Sequence, residues 1–303
     1  MRRLTAGFAC VAAAALLAPA TASAAHAEPK PARPNPVTAL NGRLAAGAGV
    51  TYRSTTTVNN ATVATTTAAF RFNRSGLAAG DVTTRLQVKP AALGKDAALA
   101  VQPERTITIG DTTYLNSVSF RKHLAESHPS IVPENTPDVA LLDDPLPASR
   151  PWIQTRNGPV TGTLGLLGQL VNPAEPATLR TLLAQRPAKR QDKRTKTTVY
   201  RGAVTIGQLH RVSPWLRDTL LVKPDARLAR TKVDWELHVG PDGLPRRVLS
   251  AWSPSALGLG KQRFVVDSRF TWGANVRVTP PDADRVLQLD AAEIEVKSPL
   301  VSR

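Results

Sequence analysis

The sequence predicts an α+β domain: an antiparallel meander, two central helical stretches, then a second run of strands. Three observations carry that reading. Threonine-rich, β-branched runs follow one another from about Gly49 to Leu115. Further on, Leu179, Leu182, Leu183 and Arg186 fall at the i, i+3, i+4 and i+7 spacing of an amphipathic helix. In TKVDWELHV, Val233, Trp235, Leu237 and Val239 alternate strictly with Lys232, Asp234, Glu236 and His238, the pattern of a strand with one buried face.

The amino-terminal residues read as export machinery. Arg2 and Arg3 precede the short apolar run FACVAAAALLA, and Ala22-Ser23-Ala24 supplies an A-x-A site, so residues 1–24 are expected to be a signal peptide cleaved after Ala24. Cys10 stands ahead of most of the apolar run, where acylation would leave the greasy stretch attached, so no lipobox is read and the protein is expected to be secreted or extracytoplasmic. It is the only cysteine, so the processed chain has neither disulfides nor a thiolate metal site. Four prolines in AHAEPKPARPNP open a disordered linker over 25–46. A domain over 47–290 and a tail over 291–303 follow.

Asn59-Asn60 lies between two runs of β period and predicts a hairpin turn, as does Gly110-Asp111 between ERTITI and TTYL. Residues 121–150 carry Pro129, Pro133, Pro137, Pro145 and Pro147 without periodicity and read as a long loop. GTLGLLGQLVN reads as a loose helix because of Gly162, Gly165 and Gly168. Pro176 suits the first turn of the helix after it. Pro241-Asp242-Gly243 forms a turn into LPRRVLSAW. QRFVVDSRFTW then places Phe264, Val266, Phe270 and Trp272 on one face.

Chemistry-bearing motifs are sparse. His123 and His128 lack the spacing of a zinc pair, and no G-x-S-x-G elbow is present. No catalytic residue, metal or cofactor is assigned, and the chain is read as a non-enzyme. Formal net charge is +16. The densest basic run, RPAKRQDKRTK, reads as a solvated helix-to-strand loop in which Lys189, Arg190, Lys193 and Arg194 are candidate contacts for an anionic membrane surface or wall polymer. No aromatic interleaves with these bases, so nucleic acid is not an expected partner. The apolar faces allow two readings: an ordinary core, or a partly filled cavity that takes an acyl chain. Cavity candidates are Leu164, Leu166, Leu167, Leu170, Val233, Trp235, Leu237, Phe264, Val266 and Phe270.

ITIGDTTYL, Pro151-Trp152, VYRGAVTIGQL, VDWELHVGPDGLPRRV and FVVDSRFTWGANVRVTPPDADRV together resemble the LppX/LprG-type lipid-binding lipoproteins of actinobacteria, which are LolA-like. The resemblance spans about residues 105–287. It implies a single curved antiparallel sheet forming an unclosed half-barrel, with helices packed on its concave face. It also implies a protein that holds a lipid or acylated small molecule between sheet and helices and carries no active site; the chain is expected to be a monomer. The alternative is an envelope protein-interaction or anionic-polymer-binding module with a packed core.

Overall fold

A computed structural model describes residues 34–73, 76–87, 102–121, 148–220, 223–253, 255 and 262–288. Residues 1–24, read from sequence as a signal peptide, most of the proline-rich loop, Lys261 and residues 291–303 lie outside them. Paired asparagines do make the first hairpin. Asn59 and Asn60 take φ of 50° and 66°, the left-handed turn that matches strand twist, and join β1 (Gly49–Val58) to β2 (Ala61–Asn73). β3 (Gly76–Leu86), β4 (Glu104–Ile109), β5 (Thr112–Asn116) and β6 (Trp152–Arg156) extend the meander, with Gly110 at φ 61° in the β4–β5 turn.

From β6 the chain runs through an irregular segment, 157–175, and helix α2 (Pro176–Ala184) to β7 (Ala188–Asp192). β7 is the far edge of the same sheet. The return meander is β8 (Thr197–Thr205), β9 (Lys232–Val239), β10 (Pro245–Trp252) and β11 (Phe264–Ala274). Helices α3 (Ile206–Val212), α4 (Pro214–Leu220) and α5 (Ala226–Ala229) are inserted between β8 and β9. β11 pairs with β1 along its whole length, from Gly49 opposite Ala274 to Val58 opposite Phe264, and this pair joins the two meanders. Finally β12 (Val286–Gln288) adds to β6.

The result is one curved, twelve-stranded sheet in the order β12-β6-β5-β4-β3-β2-β1-β11-β10-β9-β8-β7. It is unclosed, since β7 and β12 stand at opposite ends of that order. Ladder irregularities at Gly49/Val50, Thr56/Thr57, Arg71/Phe72 and Pro245/Arg247 give the long strands local bends. The sequence reading needs one correction here. The sheet is mixed, because β12 runs parallel to β6. The C-terminal segment returns from β11 to reach that edge, and a strand arriving by a crossover is free to pair parallel.

Three further expectations are corrected. Residues 36–45 are helix α1 rather than disordered linker. Asn35 caps it, its Oδ1 accepting from the amides of Val37 at 2.9 Å and Thr38 at 3.4 Å, and Pro36 occupies the first turn. A cap of this kind contributes about 1 kcal/mol, and Leu40 and Leu44, both buried, fasten the helix to the core. GTLGLLGQLVN is no helix beyond a single 3-10 turn at Gly165–Leu167. Gly162 sits at φ 69°, a left-handed kink inside the stretch. The basic run is a hairpin rather than a loop: Ala188–Asp192 is edge strand β7, and the side chain of Asp192 accepts from the amides of Arg194 and Thr195 in the turn to β8.

Burial alternates along the strands as the sequence predicts. β9 buries Val233, Trp235, Leu237 and Val239, while β11 buries Phe264, Val266, Phe270 and Trp272. The helices and the 157–175 crossing share one core with that inward face, including Leu170, Leu179, Leu182, Leu209 and Leu216. On the opposite face Ile107, Trp152 and Val286 form a small second cluster, with Val278 packed against it.

Candidate functional site

The crossing segment reaches the other edge of the sheet without strand or helix hydrogen bonds for much of its length, so side chains must fasten it. Gln169 supplies the central fastening and is buried. Its Nε2 donates to Ser268 Oγ at 3.0 Å and toward the carbonyls of Val248 and Val266 at 3.4 and 3.5 Å. Its Oε1 accepts from Ser250 Oγ at 2.5 Å and from the Val171 amide at 3.2 Å. One side chain thus ties the crossing to both β10 and β11. Ser268 also lies 3.4 Å from the Tyr52 hydroxyl, whose ionisation is pushed up by burial.

A second fastening involves Glu175, just ahead of α2. Its carboxylate accepts from the Trp215 amide at 2.7 Å, from Ser213 Oγ at 2.5 Å and from Thr178 Oγ1 at 2.8 Å. The first two partners lie at the start of α4, so one carboxylate holds the entries of two helices. Burial raises the Glu175 pKa above the usual carboxylate range, and these donors only partly offset it. Asp218, one turn into α4, is raised too by burial, with Arg217 acting against the shift.

Between these fastenings lies a cavity of ≈ 380 Å³. Its sheet wall is Tyr52, Phe70, Phe72, Leu77 and Phe270, from β1, β2, β3 and β11; Leu44 of α1, the 157–175 crossing, α2 and α4 close it from the other side. Trp215 stands edge-on to Phe70 at 5.5 Å and to Tyr52 at 6.5 Å, while Tyr52 and Phe270 are 5.4 Å apart. The Trp215 indole is fixed by a 2.7 Å hydrogen bond from Nε1 to the Gln169 carbonyl. Pro214 and Arg217, also on the lining, are exposed, so this end of the cavity reaches the surface. The volume lies within the ~300–1,000 Å³ of small-molecule sites. A largely apolar lining with few oriented polar groups suits an acyl chain or compact apolar body.

Of the residues proposed from sequence as cavity wall, only Phe270 lines this space. Leu166, Leu170, Val233, Trp235, Leu237, Phe264 and Val266 are buried away from it, Leu167 is partly buried against the core, and Leu164 is half-buried beside Glu104. Val233, Trp235, Leu237 and Phe264 instead belong to the buried core shared with the helices and the crossing. Sequence reasoning missed Tyr52, Phe70, Phe72, Leu77 and Trp215. Tyr52, Phe70 and Phe72 recur at period two in the first hairpin, a legible pattern that was read only as strand. Lys189, Arg190, Lys193 and Arg194 sit on the β7–β8 hairpin, with Lys189 5.8 Å above the Tyr200 ring. Charges on an edge strand also discourage edge-to-edge pairing.

A buried polar niche lies apart from the cavity. Glu104 accepts from Thr163 Oγ1 and from the Leu164 amide at 3.1 Å, and burial raises its pKa. A Cβ on Gly162 would stand 2.1 Å from Glu104 Oε1, so the turn at 161–164 is shaped around this carboxyl group. No cluster of potential metal ligands occurs among the described residues.

No family model matches the chain, and no curated protein matches it. Among solved structures, a LolA superfamily protein from Nitrosomonas europaea is similar over 81% of this chain and 93% of that chain, at 7% identity and a TM-score of 0.24. A likeness this distant defines neither fold nor ligand.

Proposed function

We propose that this chain is a secreted, non-enzymatic binding protein or carrier that holds a lipid acyl chain or other apolar group between its sheet and helices, the helices lying on the concave face of an unclosed half-barrel. The observation that supports this reading is the aromatic-walled cavity of ≈ 380 Å³ on the core side of β1, β2 and β11. Such a space persists because its walls are held from behind. Gln169 and Glu175 anchor the crossing and α4, so the aromatic rings cannot collapse inward without breaking buried hydrogen bonds. Burying each methylene of a ligand contributes about 0.8 kcal/mol, or about fourfold in affinity. Affinity should climb with chain length until the cavity is full and then level.

The test is native mass spectrometry of the purified mature protein, followed by displacement of a fluorescent fatty acid with saturated acids of increasing length. Ala177, half-buried on the lining, is the site to fill. Ala177→Trp is expected to lower affinity at least tenfold while the protein stays folded. Absence of any bound apolar molecule, with no displacement signal in the wild type, would remove the proposal.

A further inference from the structure

The outward face of the sheet is charged unevenly. Toward β8–β10 its cations are matched: Arg247 pairs with Asp267, Arg201 with Glu236, and Arg263 and Lys232 with Asp234. Toward β1–β3 they are not. Arg53, Arg85 and Arg269 are exposed and form no ion pair among the described residues. The register sharpens the contrast. Arg53 of β1 stands directly opposite Arg269 of β11, and Arg269 directly opposite Arg247 of β10. Neighbouring strands are ~4.8 Å apart, so these guanidinium stems form a row across three strands. Like charges directly opposite one another destabilise a sheet, and among the described residues no acid forms an ion pair with Arg53 or Arg269. A recess of ≈ 810 Å³ adjoins the row, with Arg53, Arg85, Arg105, Thr67, Thr83 and Asn116 on its walls. Arg105 is already neutralised there by a two-pronged contact with Asp81 at 2.9 and 2.7 Å.

We propose that this arginine row and its recess bind an extended, phosphate-bearing polyanion. Guanidinium groups match phosphate oxygens two at a time, and threonine hydroxyls between them add neutral donors. A recess admits a single chain more readily than the plane of a bilayer. The face is also turned away from the apolar cavity, so a membrane approached through the cavity mouth would not reach it. The aromatics nearest the recess are buried, Tyr52 in the core and Trp152 beneath Arg105, so neither offers an open stacking platform for nucleobases. The inference is independent of any lipid in the cavity.

Long-chain polyphosphate is the probe, titrated by fluorescence anisotropy against the mature protein at several salt concentrations. The R53Q/R85Q/R269Q variant is expected to bind at least tenfold more weakly. Its log K against log salt slope should fall by about 2, at about 0.7 per lost phosphate contact on a single-stranded polyanion. Removing equal charge at the other end of the sheet, in K189Q/R190Q/R194Q, should leave affinity within about twofold. All six side chains are exposed, and R53Q relieves a like-charge pair, so its Tm should hold or rise. Equal losses in the two triple variants would reduce the effect to net charge and overturn the proposal. Binding to phosphatidylglycerol vesicles without binding to polyphosphate would overturn it in favour of a membrane, and absence of any binding would overturn it outright.

Discussion

Replacing Gln169 by leucine tests whether the crossing segment is held as described. The two side chains are similar in volume, so packing changes little and the polar consequences dominate. Leucine leaves the Val171 amide and the Ser250 hydroxyl without their acceptor at 3.2 and 2.5 Å, while Ser268 keeps its contact with Tyr52 at 3.4 Å. A buried group left unsatisfied costs about 1–3 kcal/mol, so two of them give an expected loss of about 3–4 kcal/mol. Adding Ser250→Ala to Gln169→Leu removes one orphan and should recover about 1–2 kcal/mol, although it deletes a further polar atom. Urea denaturation measures both. With m of about 3 kcal/mol/M, the single variant shifts the midpoint by roughly 1 M and the double variant by less. Fatty-acid affinity should fall in the single variant as well, because the Gln169 carbonyl that positions Trp215 moves with the segment. A loss below about 1 kcal/mol for Gln169→Leu, or a double variant less stable than the single, would refute the claim that this side chain fastens the crossing.

Two further outcomes follow from the buried carboxyl at Glu104. Gly162→Ala forces a Cβ to within 2.1 Å of Glu104 Oε1 at a residue with φ 69°. It is expected to cost at least about 3 kcal/mol, combining left-handed strain with a displaced buried acceptor, and a urea midpoint within error of wild type would contradict that. Burial raises the folded-state pKa of Glu104, so the folded protein takes up this proton before the unfolded chain does. Its stabilising contribution is complete below the ordinary glutamate range and is lost as pH rises through the raised value. Burial shifts His210 downward, and its contribution runs the other way, fading as pH falls. The comparison is therefore wild type against Glu104→Gln. The wild type should gain stability relative to the variant as pH is lowered from neutrality toward the ordinary glutamate range, and a flat or reversed difference in urea-derived stability would contradict the assignment.

The sequence on its own determined the local elements. Strict alternation in Val233, Trp235, Leu237 and Val239, the left-handed tolerance of Asn59-Asn60, and the leucine spacing at 179–183 are short-range physics, and each appears in the structure where the pattern placed it. Asn35-Pro36 was equally readable as a helix start, yet it was hidden inside a proline-rich stretch. Tertiary structure decided everything that depends on which distant segments meet. The parallel docking of β12 on β6 and the β1–β11 seam join residues more than a hundred positions apart, which no local period encodes. The location of the cavity is of the same kind. The inward faces of β9 and β11 look alike in sequence, but Trp235 and Leu237 are buried in the core away from the cavity, whereas Tyr52, Phe70 and Phe270 line it opposite a crossing and a helix that Gln169 and Glu175 brace. Apolar alternation tells which side chains leave water; only the hydrogen bonds that brace the opposite wall decide whether the space between them closes.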